Sequence, residues 1–254
     1  DLFPSATTSD NEVRKATSIG QRGVFYQCDP TNDVWAVLNG AAVIYKLPAP
    51  IKVTAPAVQA SAVASNGGNL QVTATAHGMT GGTVVGSSVY VSAGTGWTVG
   101  LYEILSVDSV NTYTLNVARG TLGVPTVALA NGTDELTLLT MAGPPLLSSS
   151  SLTGSIGTEC SGQNTNTKRI IFDFGTARVF NANMSLLADF GVYGNFTVKN
   201  LGSTSSQKTM MHSSIVSGFG RLASAPISSS INTAAAYSMY VRAILGAAND
   251  IITL

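Results

Sequence analysis

Charge is what this chain has least of. Only 10% of its 254 residues are Asp, Glu, Lys or Arg, 13 basic against 13 acidic, where soluble domains usually carry about 25%. A net charge of zero, with no basic run longer than Lys168-Arg169, excludes the clustered cations that nucleic acid or an anionic membrane surface requires. Cysteine is almost missing as well. Cys28 and Cys160 stand far apart without C-x-x-C spacing, which excludes a zinc or redox motif. Two buried thiols are expected, in preference to a disulfide that would need an oxidising compartment. The two histidines, His77 and His212, have no Cys, His, Asp or Glu at a ligand-like spacing, so each is read as structural. No apolar run approaches the roughly 20 residues of a membrane-spanning helix. The opening Asp1-Leu2-Phe3-Pro4 lacks a basic or an apolar leader region, and no signal peptide is expected.

In place of charge stand Ala, Val, Ser, Thr, Asn and 26 Gly, within a chain that is 44% hydrophobic. β-branched and small polar residues suit pleated sheets and tight turns. A surface of hydroxyls and methyls has little charge to hold copies apart, and is at ease inside an assembly. The composition points to a β-rich structural or binding protein.

Three regions follow from the patterning. In residues 1–50, a polar arm with Asp10-Asn11-Glu12-Val13-Arg14-Lys15 precedes a hairpin. Gly23-Val24-Phe25-Tyr26-Gln27-Cys28 and Val34-Trp35-Ala36-Val37-Leu38 flank a turn at Asp29-Pro30-Thr31-Asn32-Asp33. Pro48-Ala49-Pro50 and Pro56 read as a linker. Residues 51–142 form a small antiparallel module. Leu70, Val72 and Ala74 alternate with Gln71, Thr73 and Thr75, His77-Gly78 turns, and strands follow at 89–91, 101–107 and 112–117, with Glu135-Leu136-Thr137-Leu138-Leu139 as the last. Pro144 to Gly162 is Ser/Gly/Thr-rich and reads as loop with at most one short strand. The remainder of 143–254 alternates again: Ile170, Phe172 and Phe174 share a face, and 196–200, 214–217, 237–244 and 250–254 continue as strands. Irregular spacing with long polar connections favours a two-sheet sandwich. The expected fold is all-β: a jelly-roll-like antiparallel sandwich with a smaller antiparallel module inserted. No fixed-period repeat or heptad run appears.

Motifs that promise chemistry dissolve on inspection. Gly94-Thr95-Gly96-Trp97-Thr98-Val99-Gly100 has its third glycine one place late for a dinucleotide fingerprint, and no βαβ unit surrounds it. It reads as a hairpin loop carrying Trp97. Ser205-Ser206-Gln207-Lys208 and Ser9-Asp10-Asn11 match β-lactamase-type motifs in reversed order and without K-T-G. Glycoside hydrolysis needs two carboxylates across a cleft, but Asp173, Asp189 and Asp250 read as strand-edge or turn residues. The sequons at Asn131, Asn183 and Asn195 are read as compositional chance. No catalytic, metal or cofactor residue is assigned, and the chain is read as non-enzymatic.

The segment Val72-Thr73-Ala74-Thr75-Ala76-His77-Gly78-Met79, Val89-Tyr90-Val91-Ser92, Gly100-Leu101-Tyr102-Glu103-Ile104 and Thr112-Tyr113-Thr114-Leu115 resembles a small β module of tailed-bacteriophage structural proteins. It departs from them in carrying Thr80–Ser88 where a short Gly-Asp turn is usual. The flanking pieces, Gly23–Cys28, Val34-Trp35, Lys168–Phe172, Ser230–Thr233 and Ala247–Leu254, are similar to phage virion proteins with a jelly-roll-like domain. The resemblance touches about half the chain and carries no catalytic signature. It implies a head decoration (cement) protein, a head fibre or a tail-fibre piece, commonly trimeric, assembled in the host cytoplasm into the virion. The implied partners are further copies of itself and the major capsid or other virion proteins, with no direct nucleic acid and no membrane. An alternative is a receptor-binding module in which exposed Trp97 and Tyr102 stack on host-surface glycans, although Trp97 reads first as a loop residue folded over its own module.

Overall fold

Val, Thr, Ile and Tyr at alternate positions favour the extended backbone, and strands dominate the chain. The computed structural model describes residues 24–29, 34–36, 43–44, 50–143, 145–161, 167–184, 191–215, 220–223 and 226–254. Strands β1 (Val24–Asp29), β2 (Val34–Ala36) and β3 (Val43–Ile44) come first. Next are β4 (Lys52–Val53), β5 (Ala62–Asn66), β6 (Asn69–Thr73), a single helical turn at Gly81–Val84, β7 (Ser88–Ala93), β8 (Gly100–Ser109), β9 (Thr112–Ala118) and β10 (Thr126–Val127). Then come β11 (Leu136–Gly143), β12 (Ser151–Ser161), β13 (Lys168–Phe174), β14 (Ala177–Met184), β15 (Gly191–Asn200) and β16 (Gln207–Ile215). The last are β17 (Gly220–Ala223), β18 (Ile227–Ser229), β19 (Tyr237–Ile244) and β20 (Ile251–Thr253).

Two sheets result. One is antiparallel and four-stranded, in the order β11-β19-β13-β14. The other gathers sixteen strands along a path β17-β16-β15-β12-β20-β4-β7-β8-β9-β6-β5, with β1, β2, β3, β10 and β18 attached beside it. Its pairings are antiparallel except the bridge Val53↔Ser88 between β4 and β7. The main core includes Phe172, Phe174, Met239 and Val241 of the small sheet and Leu152, Phe196, Val198 and Met211 of the large one. Phe172 meets Phe196 across the gap, ring centroids 4.6 Å apart. A second core of Leu70, Val72, Val89, Ile104, Tyr113 and Leu115 belongs to the smaller module. The fold is the expected all-β sandwich with a smaller β module.

The module's chain enters and leaves side by side. The Ala130 N–H donates to the Pro56 carbonyl at 3.0 Å, so the chain leaves the sandwich and returns at neighbouring points. Leu136, Leu138 and Met141 of β11, the strand expected to end the module, lie in the sandwich core, and β11 pairs with β19. The two cores therefore divide near residue 130, not 142. Of the proline-marked linker, residues 48 and 49 lie outside the described residues, as does the arm 1–20. The stretch from Pro50 to Pro56 is no loose connection. Val53, Thr54 and Ala55 are fully buried, and Thr54 Oγ1 donates to the Ala248 carbonyl at 2.8 Å.

The largest departure from expectation is β12. The Ser/Gly/Thr-rich segment read as loop contains an eleven-residue strand in the interior of the large sheet. It pairs with β15 along one side and with β1 and β20 along the other. Its glycines explain the pairing. Gly154 stands opposite Phe196 and Gly157 opposite Tyr193, and a Cβ there would fall 2.5 and 2.9 Å from those rings. Each ring lies over the bare backbone and supplies the surface the glycine lacks. Gly143 of β11 stands under Tyr237 in the same way.

Candidate functional site

The outward side of the four-stranded sheet holds an unusual share of the chain's few charges. In β13 the alternation that sends Ile170, Phe172 and Phe174 into the core turns Asp173 outward. Asp173 faces Arg178 across the β13–β14 hairpin and Tyr240 on β19. Two residues along β19 from Tyr240, on the same face, is Arg242; Glu135 immediately precedes β11. These side chains interlock. Arg178 Nη1 and Nη2 donate to Glu135 Oε1 and Oε2 at 2.8 and 2.9 Å, and Arg178 Nε donates to Asp173 Oδ1 at 3.1 Å. Arg242 Nη1 reaches Glu135 Oε2 at 3.1 Å and Asp173 Oδ2 at 3.2 Å. The fork-to-fork geometry of Arg178 on Glu135 is the strong form of this interaction. Bonding from Arg178, then from Arg242, holds the Glu135 carboxyl below its usual range against the opposing effect of burial. Bonds to Glu135, then to Asp173, push the Arg178 guanidinium upward, so it stays charged.

Above this network lies a cleft of about 440 Å3 lined by Asp173, Gly175, Thr176, Arg178, Tyr240 and Arg242. The Arg242 guanidinium carbon sits 5.0 Å from the centroid of the Tyr240 ring, a cation–π distance. Gly175, at φ +57°, makes the tight β13–β14 turn, and a Cβ there would strike Ile231. Asp173, read from sequence as a strand-edge or turn residue, is 4% exposed and joins both arginines. Arg178, Arg242, Glu135 and Tyr240 were not singled out in the sequence. Their one signal is Asp173 itself, an acid within an apolar strand.

The other sequence candidates fall elsewhere. Asp250 is fully buried and accepts from Lys168 Nζ at 3.4 Å and from the Ala247 N–H at 2.9 Å. Asp189 lies outside the described residues. His77 is buried; its Nε2 donates to the Ser109 carbonyl and its Nδ1 accepts from the Met79 N–H, both at 3.0 Å. The ring also meets Tyr113 edge-on at 5.5 Å. His212 is exposed on β16, opposite Asn195. Trp97 does sit in a hairpin loop, but it folds back on its module: Nε1 donates to the Gly123 carbonyl at 2.9 Å, and the ring packs edge-on against Tyr102 at 4.7 Å. Tyr102 in turn donates to the Thr98 carbonyl. Ser205 lies in a turn, and Lys208 points to Ser228 Oγ. The Cys160 thiol contacts Met184 Sδ at 3.5 Å. Cys28 pairs with Ser151 at the opposite end of β12, a separation of about 30 Å at strand rise, which a disulfide cannot span. Asp108 anchors a polar face of the module. Burial alone would raise its carboxyl, but donors on Ser106, Thr114, Gln71 and Asn66 together hold it below the usual range.

Among the described residues, no group of three or more His, Cys, Asp or Glu is placed to hold a metal ion. No family model, curated protein or solved structure matches this chain.

Proposed function

We propose that the chain is a non-enzymatic structural subunit of a bacteriophage virion that decorates the outer capsid surface and reinforces it as a trimer. The observation that carries this reading is a weakly charged surface with large aliphatic side chains left in water. Leu147 and Leu201 are 60% and 49% exposed. They lie at one end of the sandwich, where Asn200 Nδ2 donates to the Leu147 carbonyl. Covering such side chains with a neighbouring copy contributes roughly 25 cal/mol per Å2 of apolar surface removed from water. Attachment through several copies adds avidity without a tight single contact. The module resemblance supplies the virion context. Analytical ultracentrifugation is expected to give a trimer that the double substitution Leu147→Asp, Leu201→Asp dissociates. A strict monomer that never adheres to phage heads would overturn the reading.

A second reading, a receptor-binding module, gains from the cleft and loses its first anchor. Trp97 is committed to its own module, whereas Tyr240 and Arg242 line an open recess.

A further inference from the structure

Resting on that receptor-binding reading, we infer that the cleft over Asp173, Tyr240 and Arg242 is a binding site for a neutral saccharide. Its size fits. Recesses of about 300–1,000 Å3 hold small ligands, and this one measures about 440 Å3.

Its charge selects against ions. Glu135 and Asp173 are balanced by Arg178 and Arg242, each arginine touching both carboxylates. An anion arriving at the arginines meets two carboxylates, and a cation meets two guanidinium groups. A hydroxyl group, which both donates and accepts, suits the arrangement. Donors and acceptors of both kinds remain in the lining. Arg242 uses Nη1 for both carboxylates, and among the described residues nothing takes up its Nη2. Asp173 Oδ1 receives Arg178 Nε and keeps a second lone pair. The hydroxyls of Thr176 and Tyr240 complete the polar set.

The Tyr240 ring supplies the apolar wall on which the C–H face of a pyranose packs. Gly175 contributes backbone to the margin of the recess. The parts are also pre-organised. Asp173 is held by three arginine contacts within a sheet interior, so little ordering is required when a ligand arrives.

The arrangement is one for binding. Glycoside cleavage needs two carboxyl groups flanking the bond, and the lining of this cleft offers Asp173, already engaged by both arginines.

The test titrates the full chain with lactose, cellobiose, maltose and N,N′-diacetylchitobiose, with glucuronate and glucosamine as charged comparisons, followed by NMR shifts and calorimetry. At least one neutral disaccharide is expected to bind, with shifts centred on 173–178 and 240–242. Tyr240→Ala is expected to weaken that binding about fivefold or more, measured well below its thermal midpoint so that loss of the Arg242 contact does not enter. Thr176→Val, which leaves the ion network intact, is expected to weaken it as well, and Trp97→Ala to leave it unaltered. Raising NaCl from 50 to 500 mM is expected to change affinity less than about twofold, because the ligand carries no charge to screen. Binding that survives Tyr240→Ala and Thr176→Val but is lost with Trp97→Ala overturns the cleft while leaving the receptor-binding reading standing. Preference for glucuronate or glucosamine overturns the neutral-ligand assignment. Silence toward every sugar ends both.

Discussion

At the scale of single residues, the scarcity of charge makes each ion pair informative. Lys168 and Asp250, 3% and 0% exposed, join the start of β13 in one sheet to the turn before β20 in the other. Two ions removed from water this far depend on one another and on their remaining polar contacts. Lys168→Met is expected to cost about 3–5 kcal/mol in urea unfolding, because it takes the Lys168 ammonium away from a fully buried carboxylate. The double substitution Lys168→Met, Asp250→Asn is expected to cost much less than the two single losses added together. The exposed network behaves differently. Because the Glu135 carboxyl ionises below its usual range in the folded chain, its contribution is fully present above that range. It is lost as pH falls through the lowered value. Acidification from pH 7 to pH 3 is therefore expected to lower the thermal midpoint of the native chain more than that of Glu135→Gln. High salt is expected to shrink the difference.

At the scale of elements, β12 shows how a glycine-containing sequence sustains an interior strand. The substitution Gly154→Ala places a methyl group against the Phe196 ring and is expected to cost about 1–3 kcal/mol by urea titration. An unchanged midpoint would mean that the ring does not sit on that glycine. The same strand marks the boundary of what the sequence discloses. Strands with apolar alternation, such as Leu70–Ala74 and Ile170–Phe174, are legible because their faces differ within one short segment. β12 is not, because only the aliphatics Leu152 and Ile156 mark its core face, and the surface over Gly154 and Gly157 comes from Phe196 and Tyr193 on a strand some 40 residues later. The cleft was hidden for a related reason. Glu135, Asp173, Arg178 and Arg242 come from four stretches of chain, and only the register of β11, β19, β13 and β14 brings them together. The acid within β13 was visible; its partners were not. Trp97 was legible, since an aromatic in a glycine-rich loop reads first as a ring folded over its own module, and its Nε1 does bond to the Gly123 carbonyl.

At the scale of the whole molecule, two cores share one continuous sheet. Replacing residues 57–129 with two or three glycines is expected to leave a sandwich with native-like β circular dichroism and a cooperative unfolding transition. The carbonyl of Pro56 and the amide of Ala130 already stand within hydrogen-bonding distance. Some stability is expected to go, because Tyr90 and Leu101 of the module pack against the sandwich core. Loss of the cooperative transition would show that the module is integral to the scaffold.

At the β5 end of the large sheet, Gly67 and Gly68 turn the β5–β6 hairpin in left-handed backbone with nothing within 4 Å of where a side chain would begin. A module whose chain enters and leaves at neighbouring points, with an unobstructed turn on its edge hairpin, is built for carriage. Foreign peptides spliced between those two glycines would ride clear of both hydrophobic interiors, making the molecule a display platform whose cargo leaves its foundations untouched.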